Sequence, residues 1–518
     1  MTSIRFIRIA FAMISLLAAS ALTAAVDHFG FEDLFNRPLP CLIFSATIIG
    51  FVGSLYGVFA PADRLQSMST QLGSLAAPQF DSLDKSQPGN TRFRSQLLIA
   101  YGLLTFALVA SRFYDLHQQV SHSDPAAFLR FATEVHDSGG PWNLLMDLYS
   151  GEYRQANQHP LLIGLLALHP TLTFAKTLSL VASCLTLGII LVHVMKKHGV
   201  WPAGLVLSLM CTNSALVYFA SLATCESLLI LILTSVFVLL MRLQPDPDRA
   251  TTHPIRRYHW RWFTIGALLG LSYLTKGTAP IFLAGVVAGC FVMNWKHVNQ
   301  TSFIKRLGGT LVPVLILIIG WITVAHPLLI RNIKVFGNPL YSANQTFFYL
   351  DEFPDGMDPF GQVAAMGTPQ EIRAEYFATH SVQDMSQRAL TGMGWQTYTF
   401  VRSLGPTPLD DSRVLFGVFL LFLAGLVLIH SSPMIKTTMT VWIALGVLLF
   451  GWYIPIATGQ RFMAPLIPML LTFAGVGIWR VLYHFHQLPR ATTALIIGFT
   501  WNAIWLIWTT ITIWPEGS

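Results

Sequence analysis

One carboxylate stands out in the polar stretch 112–160, which lies between two strongly apolar runs. Asp124 occurs in HSDPAAFLRFA, two positions after His122. A carboxylate in such a loop can accept the proton of an attacking hydroxyl group, which is the task of a general base. Because Pro125 fits the first turn of a helix and Asp124 fits its N-cap, a purely structural capping role is the alternative.

Three cations lie at predicted outer ends of membrane helices. Lys276 occurs in GLSYLTKGTAPIFLAG, Arg331 in HPLLIRNIKVFGNPLY and Arg461 in ATGQRFMAPLIP. Positive residues are disfavoured on the outer side of a membrane, so together they predict a surface that binds phosphate, most naturally that of a lipid headgroup. The alternative for Lys276 is a lysine that closes a hairpin and extends its ammonium group to the interface.

A second acid lies one turn into the membrane. Glu226 stands in SLATCESLLILIL, at the outer end of a predicted span. An ionised group at such a depth is costly and usually faces a polar cavity, which makes Glu226 a site candidate. Extension of the side chain to the interface is the alternative. Asn332, the neighbour of Arg331, is a further candidate.

The polar stretch also holds candidate histidines and two predicted surface helices. Phe128, Phe131 and Val135 form an apolar stripe, which predicts a helix lying along the membrane surface. His159 begins HPLLIGLLALHP, which is too short to span and predicts a re-entrant or interfacial helix that closes the loop against the site. The spacings of four histidines match no standard metal-ligand pattern, so a divalent cation is possible but unsupported; they are His117, His122, His136 and His159.

The elements that hold these residues must be membrane helices. The chain has 518 residues, of which 53% are hydrophobic and 11% charged, whereas soluble domains have about 25% charged residues. A bilayer core requires about 20 apolar residues per helix, and such runs recur almost throughout. We therefore predict an all-α polytopic membrane protein with about 13 spans, near residues 6–26, 39–60, 96–113, 174–196, 200–219, 224–242, 261–274, 277–294, 307–326, 413–430, 438–456, 462–484 and 492–514.

The positions of lysine and arginine predict the topology. Most of them fall in short loops that would all face the cytoplasm if the N-terminus is inside, as the positive-inside rule requires. This explains the net charge of +7 without nucleic acid as a partner. It also leaves two long loops outside, which are predicted to carry short helices. A packed lid without direct chemistry is the alternative for the second loop.

We divide the chain into four parts. They are 1–95, with two transmembrane helices and a cytoplasmic linker; 96–326, a catalytic membrane core that includes the first outer loop 114–173; 327–412, the second outer loop; and 413–518, the C-terminal membrane helices. The basic start and apolar run at 1–26 also fit a cleaved signal peptide, although the run is long enough to be retained as a helix.

The order of six segments resembles the GT-C glycosyltransferases of the protein O-mannosyltransferase type, which include the bacterial aminoarabinose transferases. The resemblance covers residues 96–485. The segments are HSDPAAFLRFATEVHDSGGPW, YRQANQHPLLIGLLAL, CESLLILILTSVFVLLMRL, GALLGLSYLTKGTAPIFLAG, HPLLIRNIKVFGNPLYS and GQRFMAPLIPMLL.

The resemblance implies a GT-C fold and transfer of a sugar from a polyprenyl-phosphate donor to an acceptor outside the cytoplasm. By it, Asp124 matches the catalytic carboxylate of the first loop, Glu226 the second outer-face acid, and Lys276 a phosphate-contacting lysine. The chain departs from the family at Ser123, where a second acid is common, which argues against a metal role. It departs again at His159, where the family has a basic residue before two prolines, which weakens the transfer of donor-pocket detail.

Chemistry supports the same expectation without the family. A lipid phosphate is a good leaving group if cations stabilise it, and Asp124 could deprotonate an acceptor hydroxyl that attacks the anomeric carbon from the opposite face, with inversion. A protein, a glycan or a lipid could be the acceptor. We expect an integral protein of a bacterial inner or plasma membrane, with its active site facing the periplasm or exterior.

Two other classes of protein stay open. The first is a transporter or flippase for lipid-linked sugars, although transporters usually place ionisable residues at mid-membrane, whereas these lie at one face. The second is a non-catalytic membrane subunit of an assembly machine.

Overall fold

The structure is a computed structural model, and it describes residues 90–116, 124–155, 157–243, 259–295, 303–354, 359–406, 412–457, 459–484 and 490–513. Within these ranges the secondary structure is helical, apart from one isolated bridge between Asn213 and Pro406. The predicted all-α class is therefore confirmed for this part of the chain. The first two predicted spans and the candidate His122 lie outside the described residues.

The helices follow one another along the whole described chain. In order they are α1 (Asn90–Leu116), α2 (Asp124–Asp137), α3 (Pro141–Ser150), α4 (Pro160–Leu166), α5 (Leu172–His198), α6 (Val200–Cys211), α7 (Ser214–Ala220), α8 (Glu226–Arg242), α9 (His259–Thr275), α10 (Pro280–Trp295), α11 (Phe303–Phe336), α12 (Asn344–Phe347), α13 (Pro359–Met366), α14 (Pro369–Thr379), α15 (Val382–Leu404), α16 (Ser412–Ile429), α17 (Pro433–Trp452), α18 (Ile467–His484) and α19 (Arg490–Ile513).

These helices belong to two compact units. The core unit contains the described residues of Gln79–Ser342, Ser403–Ile443 and Met463–Ser518, and the loop unit those of Ala343–Arg402 and Ala444–Phe462. The predicted outer loops do carry short helices, namely α2 to α4 in the first and α12 to α14 in the second. The second also contains α15, which at 23 residues is longer than expected.

Five helical segments are long and apolar enough to cross a membrane: Phe93–Ser111, Leu172–His198, Thr310–Phe336, Pro433–Trp452 and Ala464–Tyr483. Along α11, Leu311, Leu315, Ile319 and Ile322 are all exposed. Their spacing of three or four residues places them on one side of the helix, as expected for a face in contact with lipid. The described chain is thus a helical membrane protein.

The predicted span 200–219 is interrupted. Helix α6 ends at Cys211 and α7 begins at Ser214. Between them, Asn213 accepts a hydrogen bond from the Leu216 amide at 3.1 Å and donates one to the Ser403 carbonyl at 2.7 Å. Asparagine is a favoured N-cap, so it starts a new helix inside a run that hydropathy alone reads as continuous.

The second outer loop begins later than the predicted residue 327, because α11 continues through Pro327 to Phe336. Proline has no N–H, which leaves the carbonyl of Thr323 without its usual helical donor. The Nδ1 of His326 lies 2.8 Å from that carbonyl and donates to it. The other ring nitrogen contacts the hydroxyl of Tyr149. Arg331 and Asn332 are therefore helical residues.

The apolar stripe of α2 packs against protein, which corrects the prediction that it lies along the membrane surface. Phe128, Phe131 and Val135 are buried in one cluster with Leu162 and Ile163 of α4. The short α4 has an apolar face of its own, and the two helices cover each other. This pairing closes the first outer loop on itself.

Helices α9 and α11 run parallel and touch through their backbones. A Cβ atom added to Gly266 would lie 2.0 Å from the Leu317 carbonyl oxygen, and one added to Gly320 would lie 2.3 Å from that of Phe263. Small residues at such crossings let membrane helices approach closely. The contact brings the C-terminal turns of α9 and α11 side by side, and the predicted site residues lie there.

Candidate functional site

Glu226 and Lys276 form a direct ion pair, with 2.8 Å between Lys276 Nζ and Glu226 Oε1. Glu226 is the first residue of α8, where the helix dipole favours an acid, and Lys276 follows the last residue of α9. The exposed fractions of the two side chains are 5% for Glu226 and 17% for Lys276. The sequence predicted a role for each residue but not that they pair.

His159 lies beside this ion pair and packs against the turn that follows α9. It is buried at the N-cap of α4, and its Nδ1 donates a hydrogen bond to the Tyr273 carbonyl at 2.5 Å. Its Nε2 faces Gly277, where an added Cβ atom would be only 2.9 Å away. The glycine after Lys276 therefore allows the imidazole to sit against the backbone.

The protonation state of His159 follows from this position. Burial lowers the pKa of His159 to about 4. The hydrogen bond to the Tyr273 carbonyl acts to raise this pKa, whereas the positive charges of Arg331 and Lys276 act to lower it. The ring is therefore neutral near pH 7, with its proton on Nδ1. Nε2 is left as a hydrogen-bond acceptor.

Arg331 is a buried cation with an unused donor. Its exposed fraction is 3%, and its guanidinium carbon lies 5.7 Å from the ring centre of Tyr153 and 5.4 Å from that of Phe336. Nη1 donates to the carbonyl of Gln155. Nε is buried and has no hydrogen-bond partner.

Tyr153 supplies a second unused donor next to this guanidinium. Its hydroxyl oxygen is buried without a hydrogen-bond partner. Burial raises the pKa of the phenol well above its usual value, although Arg331 acts in the opposite direction. The hydroxyl therefore keeps its proton and can donate it. Buried donors without partners are rare, and each calls for an explanation such as a missing ion or ligand.

The side chain of Asn332 binds backbone carbonyl groups of the turn after α11. Its Nδ2 donates to the carbonyls of Pro339 at 3.0 Å and Tyr341 at 3.2 Å, and it lies 3.4 Å from the hydroxyl of Tyr273. These bonds fix the turn after α11 against α9. The Asn332 amide group therefore positions the neighbouring residues, one of which is Arg331.

Asp124 is the first residue of α2, within one position of its predicted place as N-cap. It is half-buried, and α2 packs on α4, which starts directly after His159. The part of Asp124 in chemistry stays a prediction. Arg461 belongs to the loop unit, where its guanidinium carbon lies 5.3 Å from the ring centre of Phe462.

No family model matches the sequence, and no curated protein matches it significantly. Among solved structures, the chain is similar to ArnT from Cupriavidus metallidurans bound to undecaprenyl phosphate, with a TM-score of 0.33 and 13% identity over 83% of this chain and 92% of that one. For the same protein in the apo state the TM-score is 0.29, with 14% identity over 80% and 91%. At such values residue roles cannot be transferred, so the roles below are argued from this chain's own side chains.

The site is suited to an anion with several oxygen atoms. It combines the cations Arg331 and Lys276, the second of which is paired with Glu226, with a neutral imidazole. It also has two unused buried donors, Arg331 Nε and the Tyr153 hydroxyl. Among the residues that the structure describes, no group of three His, Cys, Asp or Glu side chains could hold a metal ion.

Several residues of this neighbourhood were not predicted. Tyr153 lies in the polar stretch already singled out, but nothing in the sequence marks its hydroxyl as lacking a partner. Tyr273 contributes through its backbone carbonyl, which carries no sequence signal at all. A further buried cation was also missed: Lys176, at the start of α5, donates to the carbonyl of Tyr114 at 2.9 Å. It could have been noticed as a cation at the outer end of an apolar run.

The loop unit contains a different polar cluster, around Arg388. Its guanidinium group donates to the carbonyls of Trp452 and Leu350, the hydroxyl of Tyr376 and the carboxylate of Asp351, at 2.8 to 3.2 Å. The side chains of Arg388, Tyr376 and Asp351 line an open pocket of about 290 Å³. All three guanidinium nitrogens of Arg388 thus have protein partners.

Proposed function

We propose that this protein is a membrane glycosyltransferase that moves a sugar from a polyprenyl-phosphate donor to an acceptor hydroxyl group at the non-cytoplasmic face, with inversion at the anomeric carbon. The observation that carries the proposal is the pair of buried donors without partners, Arg331 Nε and the Tyr153 hydroxyl. A buried donor that lacks a partner is destabilising by about 1–3 kcal/mol, and a phosphate oxygen would satisfy both donors.

The phosphate of the donor would bind between Arg331 and Lys276. Both cations stabilise the negative charge that grows on the phosphate as the sugar departs. Arg331 is preferred to Arg461 as the second cation because it shares His159 as a neighbour with Lys276. Neutral His159 adds no charge and presents Nε2 as an acceptor for a sugar hydroxyl.

The reaction is a single displacement. The acceptor oxygen forms a bond to the anomeric carbon while the bond from that carbon to the phosphate oxygen breaks, and the electron pair leaves with the polyprenyl phosphate. The acceptor's proton passes to the carboxylate of Asp124 as general base. Glu226 holds Lys276 in place through the ion pair and so positions the cation.

The charge pattern supports an active site on the non-cytoplasmic side of the membrane. Lys276 and Arg331 lie at helix ends that the positive-inside rule assigns to the exterior. A lipid-linked donor would present its phosphate at headgroup level there. The acceptor, whether protein, glycan or lipid, would approach from the same side, in the periplasm if the cell is a Gram-negative bacterium.

The direct test uses purified protein in lipid nanodiscs with a panel of polyprenyl-phosphate sugars and an extract of cell-envelope acceptors. We expect free polyprenyl phosphate to accumulate with turnover, together with a glycosylated acceptor. Release of polyprenyl phosphate without any glycosylated product would indicate hydrolysis. Translocation of an intact donor would indicate a flippase and contradict the proposal.

The sugar and the acceptor would be identified in cells. Mass spectrometry of surface glycans and lipids from cells lacking this chain, compared with cells that express it, should show the loss of one sugar modification. Cells that express Asp124→Asn at the same level are expected to match the cells that lack the chain.

A further inference from the structure

One face of helix α15 lines the open pocket of the loop unit, which has a volume of about 290 Å³. The lining residues of this helix are Asp384, Gln387, Arg388, Thr391 and Gly392. They recur at intervals of three or four residues, so they lie on the same side of the helix. All residues that line the pocket belong to the loop unit. We call it the outer pocket, because the charge pattern of the sequence predicts that this loop faces the exterior.

An ionic network gives the outer pocket its shape. Asp351 Oδ1 lies 3.2 Å from Arg388 Nη1, and Asp351 Oδ2 lies 3.1 Å from His380 Nε2. The His380 ring is stacked on that of Tyr376, with 4.1 Å between the ring centres and 18° between the planes. All three nitrogens of Arg388 are bonded to protein. Arg388 therefore holds the walls of the pocket together and needs no ligand to balance it.

The same face of α15 carries polar groups that are not used. Thr391 Oγ1 is buried and has no hydrogen-bond partner among the described residues. Gln396, one turn after Gly392, is fully buried, and neither oxygen nor nitrogen of its amide group has a partner there either. Buried polar groups without partners are rare, and each calls for an explanation such as a ligand. The polar face of α15 thus continues inward from the pocket.

The rim of the outer pocket is rich in hydrogen-bond acceptors. The exposed fraction of the Asp351 side chain is 62%, and Asp384 and Gln387 are exposed as well. Asp384 Oδ2 accepts bonds from the backbone amide of Ser381 at 2.9 Å and from its hydroxyl at 2.7 Å. A carboxylate has about four acceptor positions, and the amide group of Gln387 both donates and accepts. A ligand must therefore bring several donors and at least one acceptor.

Four classes of ligand fit this pocket less well than a molecule with several hydroxyl groups. An anion would be repelled by the two carboxylates. An ammonium group cannot accept a hydrogen bond and would meet the charge of Arg388. An apolar molecule would leave the hydroxyl of Thr391 unpaired. For a metal ion, the described residues offer no group of three His, Cys, Asp or Glu side chains that could hold it.

We propose that the outer pocket binds the ring of a neutral sugar. Neighbouring hydroxyl groups of the ring donate to the carboxylates of Asp351 and Asp384, and a further hydroxyl bonds to Thr391. The apolar CH groups of the ring lie against Ile454 and Pro455, which also line the pocket. Its volume of about 290 Å³ is at the lower end of the range of about 300–1,000 Å³ for small-molecule sites, which suits a single sugar unit.

The test uses saturation-transfer difference NMR on the full-length protein, in a detergent that has no sugar headgroup. The probes are the methyl glycosides of glucose, mannose and galactose, with glucosamine as the cationic probe and glucuronate as the anionic one. We expect at least one neutral glycoside to bind at millimolar concentration and glucuronate not to bind. Binding of glucosamine alone, or of no probe, would overturn the proposal. No polyprenyl-phosphate donor is present, so either result leaves the transfer reaction proposed above untouched.

Three variants locate the binding. Gln387→Ala should weaken it about fivefold, whereas Gln383→Ala, the same change one turn earlier at an exposed position that does not line the pocket, should leave it unchanged. Thr391→Val should also weaken it about fivefold, without lowering the unfolding temperature of the free protein, because the lost hydroxyl has no partner in the described chain. Equal effects of the two glutamine variants, or full binding by Thr391→Val, would overturn the proposal.

Discussion

Two arginines, one in each unit, have similar aromatic surroundings and different hydrogen bonding. The guanidinium carbon of Arg331 lies 5.7 and 5.4 Å from the ring centres of Tyr153 and Phe336, and that of Arg388 lies 5.3 and 5.0 Å from those of Tyr376 and Trp452. Arg388 uses all three of its nitrogens in bonds to protein. Arg331 has a buried Nε that bonds to nothing.

We infer from this difference that Arg388 has a structural role and that Arg331 binds a ligand. Ring contacts alone do not distinguish them, because both arginines have two. The distinction lies in whether the donors are satisfied within the chain, since an unsatisfied buried donor is destabilising until a ligand fills the place. Arg388 should therefore matter for folding of the loop unit, and Arg331 for binding in the core unit.

The largest expected effect tests whether the core unit is catalytic. Asp124→Asn removes the proposed base and should lower the transfer rate about 10²- to 10⁴-fold, because amides do not accept the proton. Turnover is measured as release of polyprenyl phosphate in nanodiscs. Asp137→Asn, at the other, exposed end of α2, is the matched control and should keep full activity. Full activity of Asp124→Asn in folded protein would remove Asp124 from the mechanism.

The ion pairs of the two units should differ in stability. Lys276→Gln removes the cation that pairs with the buried Glu226 carboxylate, which should lower the free energy of unfolding by about 3–5 kcal/mol. Removing both charges, with Glu226→Gln as well, should recover most of that loss. In the loop unit the exposed fraction of Asp351 is 62%, so Asp351→Asn should have an effect of about 0–1 kcal/mol. Chemical unfolding in detergent micelles measures all three variants.

The arginines themselves can be exchanged for glutamine. Arg331→Gln should weaken polyprenyl phosphate binding about 10- to 100-fold, because it removes a charged donor from the phosphate. Arg388→Gln should lower the unfolding temperature and leave the affinity of the folded protein unchanged. Equal losses of affinity in the two variants would contradict the distinction between them.

The smallest expected effect concerns pH. The pKa of His159 is about 4 in the folded protein, below its ordinary value of 6.5, so the unfolded chain binds more protons between these values. Stability contributed by neutral His159 is present above pH 6.5 and is lost as pH falls towards 4. We expect a decrease of about 2 kcal/mol from pH 7.5 to pH 5, relative to His159→Gln over the same range. If the stability of the unmodified protein and of His159→Gln changed equally with pH, the pKa of His159 would be the same in the folded and unfolded states.

The sequence predicted the helical membrane class and most of the helices, because apolar runs of bilayer length are a strong local signal. The division of 261–294 into two helices was also correct. The predicted helix boundaries were wrong where a single polar contact starts or continues a helix against the hydropathy pattern. Asn213 starts a helix within an apolar run, and the His326 side chain satisfies the carbonyl that Pro327 leaves without a donor.

The site was predictable only in part. Acids and cations at the ends of membrane helices are visible in the sequence because the membrane makes them costly. Their pairing is not, since Glu226 and Lys276 are 50 residues apart. The two unused donors could not be predicted either. Whether the hydroxyl of Tyr153 finds a partner depends on the packing of α11 against the first outer loop.

The backbone contact between α9 and α11 would also determine how the proposed phosphate site responds to its surroundings. Gly266 and Gly320 each lie about 15 Å along their helices from the cations near the ends, so a small change in crossing angle within the hydrocarbon layer becomes a larger change in the gap between Lys276 and Arg331. At the crossing, the atoms nearest to Gly266 and Gly320 are backbone atoms of the facing helix. Bilayer thickness and lateral pressure, which act on helix tilt, are therefore physical variables through which the lipid composition of the cell can tune this gap.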